Sequence, residues 1–537
     1  MKQELMNCEV LAMYDIREIQ SFIFKTNKVK DMMGASRLVE DLLWKGLKKC
    51  LESTCENSEY ILDWDTEEAI LADKGTLRLD TKKEIRAQVL FIGGGNAYIL
   101  YRTGEDARKV NRKLAVWLQK NSYSLQLVTA AVRRSESFQE DYHRLQEEMN
   151  LVKRRMNRTA FLGAFPVMER EKDTGLPVTA MIKEGSGEDK LCVSRETQLK
   201  RAALPNEQKR HIFDKLVDKK GEDSTLAVVH IDGNNMGNRI LELLKRVQTY
   251  PDAVERMRQV SINIASGFQE AYETIKEKAD AWENGREEGD TQEMEQNKES
   301  LQKIILAGDD LTFICTGKLA LPLVEAFVNT LAQKRMYIEE TREYGFSVCA
   351  GIAYMYSHFP FSDAYQMAEK CCASAKERAK HKGSRNGDVI GNWVDFQICS
   401  SRLGGSLREL RENTYYITDK RYLLKRPYYL PFPETAPEKW KILNDWKENK
   451  EASFDQFKEN MKLLKKKDQK NNRNKPTKSD VAAIRNTYYK GEDAIEKLFQ
   501  FLHSRHKLEG EEAFRADGKA QWYDETEMFE LYEFMEE

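Results

Sequence analysis

The chain has 537 residues, of which 41% are hydrophobic and 32% are charged. This length is too great for a single hydrophobic core and predicts three or four domains. The formal net charge is −2, so no overall basic field favours nucleic-acid binding, and any such site must be a local patch.

The sequence shows no targeting or cysteine-based signature. Its first residues lack the apolar region of a signal peptide, and no apolar run reaches membrane-spanning length. The nine cysteines include no Cys-x-x-Cys spacing, which argues against a disulfide framework or a zinc site. We therefore expect a cytoplasmic protein with no membrane partner.

Residues 1–135 are predicted to form a first α+β domain. Its strand-like and helical patterns alternate in the order βαββαβ, which is the ferredoxin-like unit. The predicted elements are a strand at 8–16, a helix at about 19–50, a hairpin at 88–101, a helix at about 105–121 and a strand at 125–132. Gly94 and Gly95 lie at the hairpin turn. They either serve tight packing or let a nucleotide approach the backbone.

Residues 136–220 are predicted to connect this domain to a second one. Near their start lies the basic cluster Lys153–Arg158. A basic run is commonly a solvated face, and phosphate binding is the alternative.

Residues 221–400 repeat the βαββαβ order, which indicates an internal structural repeat. The predicted elements are strands at 225–231, 346–354 and 389–398, helices at about 252–279, 318–342 and 361–381, and a hairpin at 303–315. Residues 277–300 are very polar and are predicted to be a mobile insertion.

Three carboxylates fall at strand ends in this second domain. Asp309 and Asp310 follow Gly308 at the hairpin tip, and Asp232 ends the first strand. Adjacent carboxylates repel one another unless a cation or a proton neutralises them, and hard oxygen ligands suit Mg²⁺ or Mn²⁺. If the strands pair, the three acids converge as a two-metal phosphoryl-transfer site requires. The alternative is ordinary turn chemistry, because Asp side chains bond their own backbone.

The remaining features are less specific. Lys376 lies at the polar end of an amphipathic helix, where it is either a triphosphate ligand or an exposed lysine. Residues 401–537 are predicted to form a separate helical domain with an aromatic and Pro-rich loop at Tyr428–Pro437. A basic stretch starts at Lys462, and the C-terminus, Tyr523–Glu537, is acidic with interleaved aromatics and docks either on a partner or on the protein itself.

Several motifs resemble the large palm-bearing subunit of type III CRISPR effector complexes and its stand-alone relatives. Asp232-Gly-Asn-Asn-Met-Gly237 is similar to the family's Asp-Gly-Asp-x-Met-Gly, and Ala307-Gly-Asp-Asp310 to its Gly-Gly-Asp-Asp hairpin. In the first domain, the run from Asp15 to Phe24, the Gly-Ala-Ser at Gly34 and the Gly-Gly-Gly-Asn turn also match. These motifs fall in the family's order and cover both predicted palms.

The resemblance implies two palms of the GGDEF type, the first non-catalytic and the second catalytic. It implies that Asp232, Asp309 and Asp310 are catalytic and hold two Mg²⁺ or Mn²⁺ ions together with Ile231. The implied nucleotide-binding residues are Ala307, Gly308, Asn234, Asn235, Lys376, Gly94 and Gly95. Lys376 matches the lysine of the corresponding GGDEF-cyclase helix.

The sequence also departs from the family pattern. Ala307 replaces the first glycine of the hairpin motif and narrows the site, and Asn234 replaces an aspartate and removes one charge. No His-Asp dipeptide and no zinc-binding cysteines between the palms occur. The expectation is a trimmed form without the HD nuclease, or a stand-alone signalling protein.

Three functions remain open. The first is a metal-dependent nucleotidyltransferase that converts ATP into 3′–5′ cyclic oligoadenylates for antiviral defence. The second is a cyclic dinucleotide synthase that uses GTP. The third is a silent scaffold that binds RNA or subunits of a CRISPR effector. The expected partners are ATP, guide or target RNA, effector subunits or a second copy of the chain.

Overall fold

The protein is described here from a computed structural model. It covers residues 3–535 apart from 57, 65, 67–69, 71–76, 157–164, 184–189, 205–215, 217–224, 248, 288–298, 340–341, 382–384, 387–388, 400–405, 417–421, 466–475 and 506–521. The chain divides into two compact units. The first comprises 1–212, 235–268 and 304–309, and the second comprises 213–234, 269–303 and 310–537.

The first unit is built on a five-stranded sheet with the order β2-β3-β4-β1-β5. All pairs are antiparallel except β2 with β3. Its strands are β1 Val10–Arg17, β2 Tyr60–Ile61, β3 Ala87–Gly93, β4 Asn96–Tyr101 and β5 Gln126–Arg133, and a separate hairpin follows with β6 Val178–Lys183 and β7 Lys190–Ser194. The hairpin predicted around Gly94 and Gly95 is thus confirmed.

The helices of the first unit begin where the sequence supplies caps. Thr103 accepts from the Asp106 amide and Ser137 from the Glu140 amide, so each satisfies one of the unpaired N–H groups at a helix start. The helices are α1 Ile19–Ile23, α2 Val29–Glu52, α3 Arg78–Thr81, α4 Gly104–Ser122, α5 Phe138–Arg155 and α6 Arg195–Ala202. Helices α3 and α5 contribute Leu79, Phe138 and Leu145 to a core that also includes Leu11, Leu90 and Leu100 of the sheet.

The single helix predicted at 19–50 is wrong, because it is broken into α1 and α2. Between them the Thr26 hydroxyl accepts a hydrogen bond from the Lys28 amide, 3.0 Å away. Such a local side-chain bond offers the backbone an alternative to the helix. Of the basic cluster, Lys153 pairs with Asp15 at 2.7 Å, and 157–158 lie outside the described residues.

The second unit is built on a six-stranded sheet with the order β17-β16-β13-β8-β10-β9. Its strands are β8 Thr225–Gly233, β9 Leu301–Ala307, β10 Asp310–Thr316, β13 Val348–Tyr356, β16 Asn392–Cys399 and β17 Tyr428–Leu430. Strand β13 runs parallel to β16 and antiparallel to β8. Residues 225–233 form a near-continuous apolar run, as expected of a strand covered on both faces.

The remaining helices follow in chain order. They are α7 Met236–Leu244, α8 Tyr250–Glu287, α9 Ala320–Ala332, α10 Phe361–Ala379, α11 Leu407–Tyr415, α12 Glu438–Lys441, α13 Lys447–Glu451, α14 Phe454–Lys465, α15 Lys478–Thr487, α16 Glu492–Ser504 and α17 Tyr523–Glu527. Of these, α7 and the start of α8 belong to the first unit. Among the described helices, none combines the length and apolar character that a membrane crossing requires.

Two predictions in this half are wrong, and the prediction lacks one helix. The helix predicted at 318–342 ends at Ala332, where the apolar helical run stops and β-favouring residues such as Tyr337 and Ile338 follow. Strand β11 Arg335–Glu339 then pairs with β12 Arg342–Gly345, with Tyr337 opposite Tyr344. Helix α7 is missing from the prediction. The insertion predicted at 277–300 is helical to Glu287, and 288–298 lie outside the described residues.

Short strands lie before and after β16. The strand predicted at 389–398 is divided at Gly391 into β15 Val389–Ile390 and β16, and β14 Arg385–Asn386 pairs with β15 in a separate two-stranded sheet. Strand β17, at the start of the predicted aromatic loop, pairs with β16. The acidic C-terminal segment packs on the same unit, since the buried Asp524 accepts from the Tyr428 hydroxyl at 2.9 Å. Of the basic stretch after Lys462, residues 466–475 lie outside the described residues.

Candidate functional site

Two of the predicted carboxylates face one another in the second unit. Strands β8 and β10 are antiparallel, and their register places Asp310 directly opposite Asp232. Directly opposed residues project to the same face of a sheet, with Cβ atoms about 4.5–5.5 Å apart. Both strands are apolar up to this point, so packing of the strand interiors holds the two acids side by side at the sheet end.

A lysine neutralises part of this charge. Lys376, on α10, places its ammonium 2.5 Å from Asp232 Oδ2 and donates to the Gly233 carbonyl at 3.4 Å. Burial alone lowers the pKa of Lys376, but the charge and hydrogen bond of Asp232 outweigh it and raise the pKa above its ordinary value. Lys376 is therefore a permanent cation beside the carboxylate pair.

A buried histidine supports the second carboxylate. His230 lies two residues before Asp232, on the same strand face, and its Nδ1 is 3.1 Å from Thr312 Oγ1 and 3.3 Å from Asp310 Oδ1. Burial lowers the pKa of His230 to about 4, with Asp232 opposing this shift and Lys376 adding to it. The ring is neutral at pH 7, and its Nδ1 is hydrogen-bonded with Thr312 while the ring lies beside the Asp310 carboxylate.

Helix α10 places further polar groups over the same sheet face. The Tyr365 ring packs edge-on against His230, with ring centroids 5.8 Å apart. Glu369 lies one turn along the helix. Burial raises its pKa, a hydrogen bond with Tyr365 opposes the rise, and the nearby Asp232 charge adds to it. Gly351 allows this approach, because a Cβ there would lie 1.9 Å from the Ala368 carbonyl oxygen.

The remaining residues of the hairpin motif lie at its turn. Ala307 ends β9, and Gly308 and the half-buried Asp309 form the turn before Asp310. Gly308 has φ +63°, a conformation that favours glycine, and a Cβ there would meet nothing within 4 Å. Residues 304–309 belong to the first unit and Asp310 to the second. Within the second unit, the structure brings together Asp232, Asp310 and Lys376. The position of Asp309 follows only from its being the residue before Asp310.

The other candidate residues occupy separate places. Asn234 is buried, and its amide donates to the Gly391 carbonyl at 3.3 Å, so its side chain serves the backbone. Asn235 precedes α7 with φ 59° and is exposed. Ile231 is fully buried, so only its carbonyl could reach a metal. Gly94 and Gly95 form the hairpin turn of the first unit with φ of 57° and 79°.

The donor set fits a hard divalent cation that also binds substrate. Among the described residues, no group of three or more acidic, His or Cys side chains is placed to hold a metal ion. Mg²⁺, however, is usually bound by one or two carboxylates together with phosphate oxygens of the substrate. The opposed Asp232 and Asp310 supply such a pair.

Sequence reasoning missed His230, Tyr365 and Glu369. The spacing of these residues indicated a shared face in each case. His230 lies two residues before Asp232 and therefore on the same strand face, and Tyr365 and Glu369 lie eleven and seven residues before Lys376 and therefore on the same helix face. No strand-to-helix contact is readable from such spacing.

Comparison with known proteins finds a family model that matches part of the chain and solved structures whose fold is similar over most of it. Residues 225–387 match the model of the Cas10/Cmr2 second palm domain. The chain is similar to a chain of an apo Csm1–Csm4 cassette, at 15% identity over 99% of this chain and 71% of that one, with a TM-score of 0.50. It is also similar to a chain of that cassette in complex with cA3, at 14% identity over 98% and 70% with a TM-score of 0.47. Csm1 in T. onnurineus is similar at 14% identity over 97% and 68%, with a TM-score of 0.47. No curated protein sequence matches the chain.

Proposed function

We propose that this chain, whose residues 225–387 form a palm of the Cas10/Cmr2 type, is a metal-dependent nucleotidyltransferase that joins ATP into 3′–5′ linked, cyclic oligoadenylates. The observation that carries the proposal is the opposed pair Asp232 and Asp310 with the ammonium of Lys376 beside it. Two neighbouring carboxylates at one end of a sheet repel each other and do not contribute to apolar packing. A bound divalent cation would offset this repulsion.

The arrangement supports a division of roles among the residues. Asp232 and Asp310, with Asp309 and the Ile231 carbonyl, would hold two Mg²⁺ or Mn²⁺ ions. When bound, such ions lower the pKa of a ribose 3′-hydroxyl and stabilise the departing pyrophosphate. Lys376 orients the triphosphate by charge, and neutral His230, which is hydrogen-bonded to Thr312, packs beside the Asp310 carboxylate.

The wider architecture fits two palms. In the first sheet, β1 lies between β4 and β5, and β3 lies outside β4. In the second sheet, β8 lies between β10 and β13, and β9 lies outside β10. In both sheets, helices follow the first and third of these four strands in chain order. This is the order of the ferredoxin-like unit. We propose a first palm at 1–135 without carboxylates at its hairpin, a catalytic palm at 221–400, and a helical region from 401 onward.

The proposal extends to partners. Csm1 is found in cassettes with Csm4, and such a cassette binds cA3. By analogy, we propose that this chain works with effector subunits in a CRISPR type III-like defence system and takes ATP as its substrate.

The test is incubation of the purified chain with each of the four nucleoside triphosphates and Mg²⁺ or Mn²⁺, followed by mass spectrometry of the products. ATP should give oligoadenylates. Asp232→Asn, Asp309→Asn and Asp310→Asn should each lower turnover at least a hundredfold, while Asp493→Asn, an exposed aspartate elsewhere in the second unit, should leave it unchanged. Full turnover in Asp310→Asn would contradict the assigned site, and a GTP-only product would contradict the substrate.

A further inference from the structure

A groove on the helical surface of the first unit combines indole rings with basic side chains. It has a volume of about 620 Å³ and is lined by residues of α2, α4 and α6. These three helices pack against one another. The side chains that matter here are Arg37, Trp44, Lys48, Lys49 and Trp117.

Helical spacing and a close helix crossing build the groove. Arg37, Trp44 and Lys48 lie at i, i+7 and i+11 on α2, and therefore on one face. Trp117 approaches from α4, where a Cβ on Gly46 would lie 2.7 Å from its ring. The missing side chain at Gly46 lets α2 and α4 approach and fixes this indole. Both tryptophans are half-buried, so part of each ring faces the groove.

The charge of the groove is positive although the chain as a whole carries −2. Four basic residues and two acids, Asp41 and Glu52, line the groove, and Asp41 is paired with Lys45 at 2.5 Å. Arg37 and Lys49 are exposed and make no ion pair with any residue that the structure describes. Lys48 places its ammonium 5.1 Å above the Trp44 ring. Cations thus lie next to aromatic surface that a flat ligand can share.

We propose that this groove binds one or two nucleotides of a single-stranded nucleic acid. The bases stack on the accessible indole surface of Trp44 and Trp117, and Arg37, Lys48 and Lys49 contact the phosphates. Basic grooves with aromatic platforms bind single strands in this way, because every base has a flat face that can stack on an aromatic ring. An acidic peptide would satisfy the cations but would leave the two indoles without a stacking partner.

This inference does not rest on the nucleotidyltransferase proposal. All groove residues belong to the first unit, and none belongs to the carboxylate site. Asp310→Asn, which should abolish synthesis, should therefore bind a single strand as the unchanged chain does.

The test is a fluorescence anisotropy titration of the full chain with a fluorescein-labelled ten-nucleotide RNA. The same DNA sequence, the RNA duplex and a poly-glutamate peptide serve as competitors. The variant Arg37→Glu/Lys49→Glu changes two exposed cations of the groove. The matched control Arg108→Glu/Arg112→Glu makes the same charge change at exposed positions of α4 outside the groove.

The groove variant should raise Kd at least tenfold and reduce the salt dependence of binding, whereas the control should change Kd less than twofold. Trp44→Leu should raise Kd at least fivefold, and circular dichroism checks that each variant is folded. Equal weakening in groove and control variants, no binding of either single strand, equal binding of the duplex, or displacement by the acidic peptide alone would each overturn the proposal. RNA against DNA competition identifies which strand the groove prefers.

Discussion

Lys376→Met tests whether the carboxylate pair is a cation site. The lysine ammonium lies 2.5 Å from Asp232, and 26% of the Lys376 side chain is exposed. Methionine keeps the length and apolar stem of lysine but removes the charge. The substitution should destabilise the apo protein and, at the same time, strengthen the binding of Mg²⁺ or Mn²⁺, because a divalent ion and the ammonium compete for the same carboxylate oxygens.

The magnitude follows from the strand register. Asp232 and Asp310 are directly opposed, so their charges lie roughly 5 Å apart. At that distance, two unit charges repel with about 1–3 kcal/mol for effective dielectric constants between 80 and 20. Exposed ion pairs contribute less than about 1 kcal/mol and buried ones about 3–5 kcal/mol when broken. For this half-buried pair we expect a loss of about 1–2 kcal/mol, which corresponds to metal binding roughly 5–30-fold tighter.

The assay is thermal unfolding of the variant and the unchanged chain over a titration of MgCl₂ or MnCl₂, with EDTA as the metal-free reference. The variant should melt lower in EDTA and gain more from the metal. Lys380→Met, at an exposed position one turn further along, is the control and should behave as the unchanged chain. Equal metal-induced shifts in all three proteins would refute the reasoning. ATP turnover should still fall in Lys376→Met, because its triphosphate contact is lost.

Three further outcomes follow from buried groups in the second unit. Burial raises the pKa of Glu525 to about 7, although a hydrogen bond from Asn460 opposes this shift. Because the pKa is higher in the folded state, the protonated carboxyl contributes stability that is fully present below about pH 4.5 and is lost as the pH rises through 7. Glu525→Gln should therefore be nearly neutral at pH 4 and stabilise by about 3 kcal/mol at pH 8 in urea unfolding. Gly351→Ala should destabilise by about 3 kcal/mol or more, because its Cβ would overlap the backbone of α10. Arg411→Met should cost about 3–5 kcal/mol, since it leaves the fully buried Asp395 carboxylate without its bidentate partner.

Each of these has a result that contradicts it. A pH-independent effect of Glu525→Gln would show that folding does not raise the pKa of this carboxyl. A stable Gly351→Ala protein would show that α10 can move away from β13. If the double variant Arg411→Met/Asp395→Leu is as unstable as Arg411→Met alone, the unpaired charge is not the cause.

Sequence patterns predicted the sheets better than the helices. Apolar runs such as 225–231 are long and end in turn residues, so strand pairing around Asp232 followed once the order of elements was recognised. The helix predicted at 19–50 and that at 318–342 both failed where local chemistry competes with helical periodicity. At Thr26 a side-chain hydrogen bond interrupts the helix, and after Ala332 β-favouring residues pair in the β11–β12 hairpin, with Tyr337 opposite Tyr344.

The acidic residues of the candidate site could be predicted from the sequence, but the side chains that contact them could not. Asp232, Asp309 and Asp310 are marked by position, at strand ends and a glycine turn. The contact between Lys376 and Asp232 depends on how α10 lies over β8, which residue spacing within one element does not encode. His230 escaped notice because a lone histidine in an apolar strand is typical of a packed core.

The short strand β17 has a practical consequence for the isolation of the palm domain of the second unit as a fragment. The family match ends at residue 387, before β16 and β17, which pair beside β13. In a fragment that ends at this limit, β13 would be an exposed edge strand with unpaired backbone amides and carbonyls. Such an edge can pair with strands of neighbouring molecules and form aggregates. A recombinant version that continues through Leu430 keeps this edge covered and should remain dispersed at concentrations where the shorter piece precipitates.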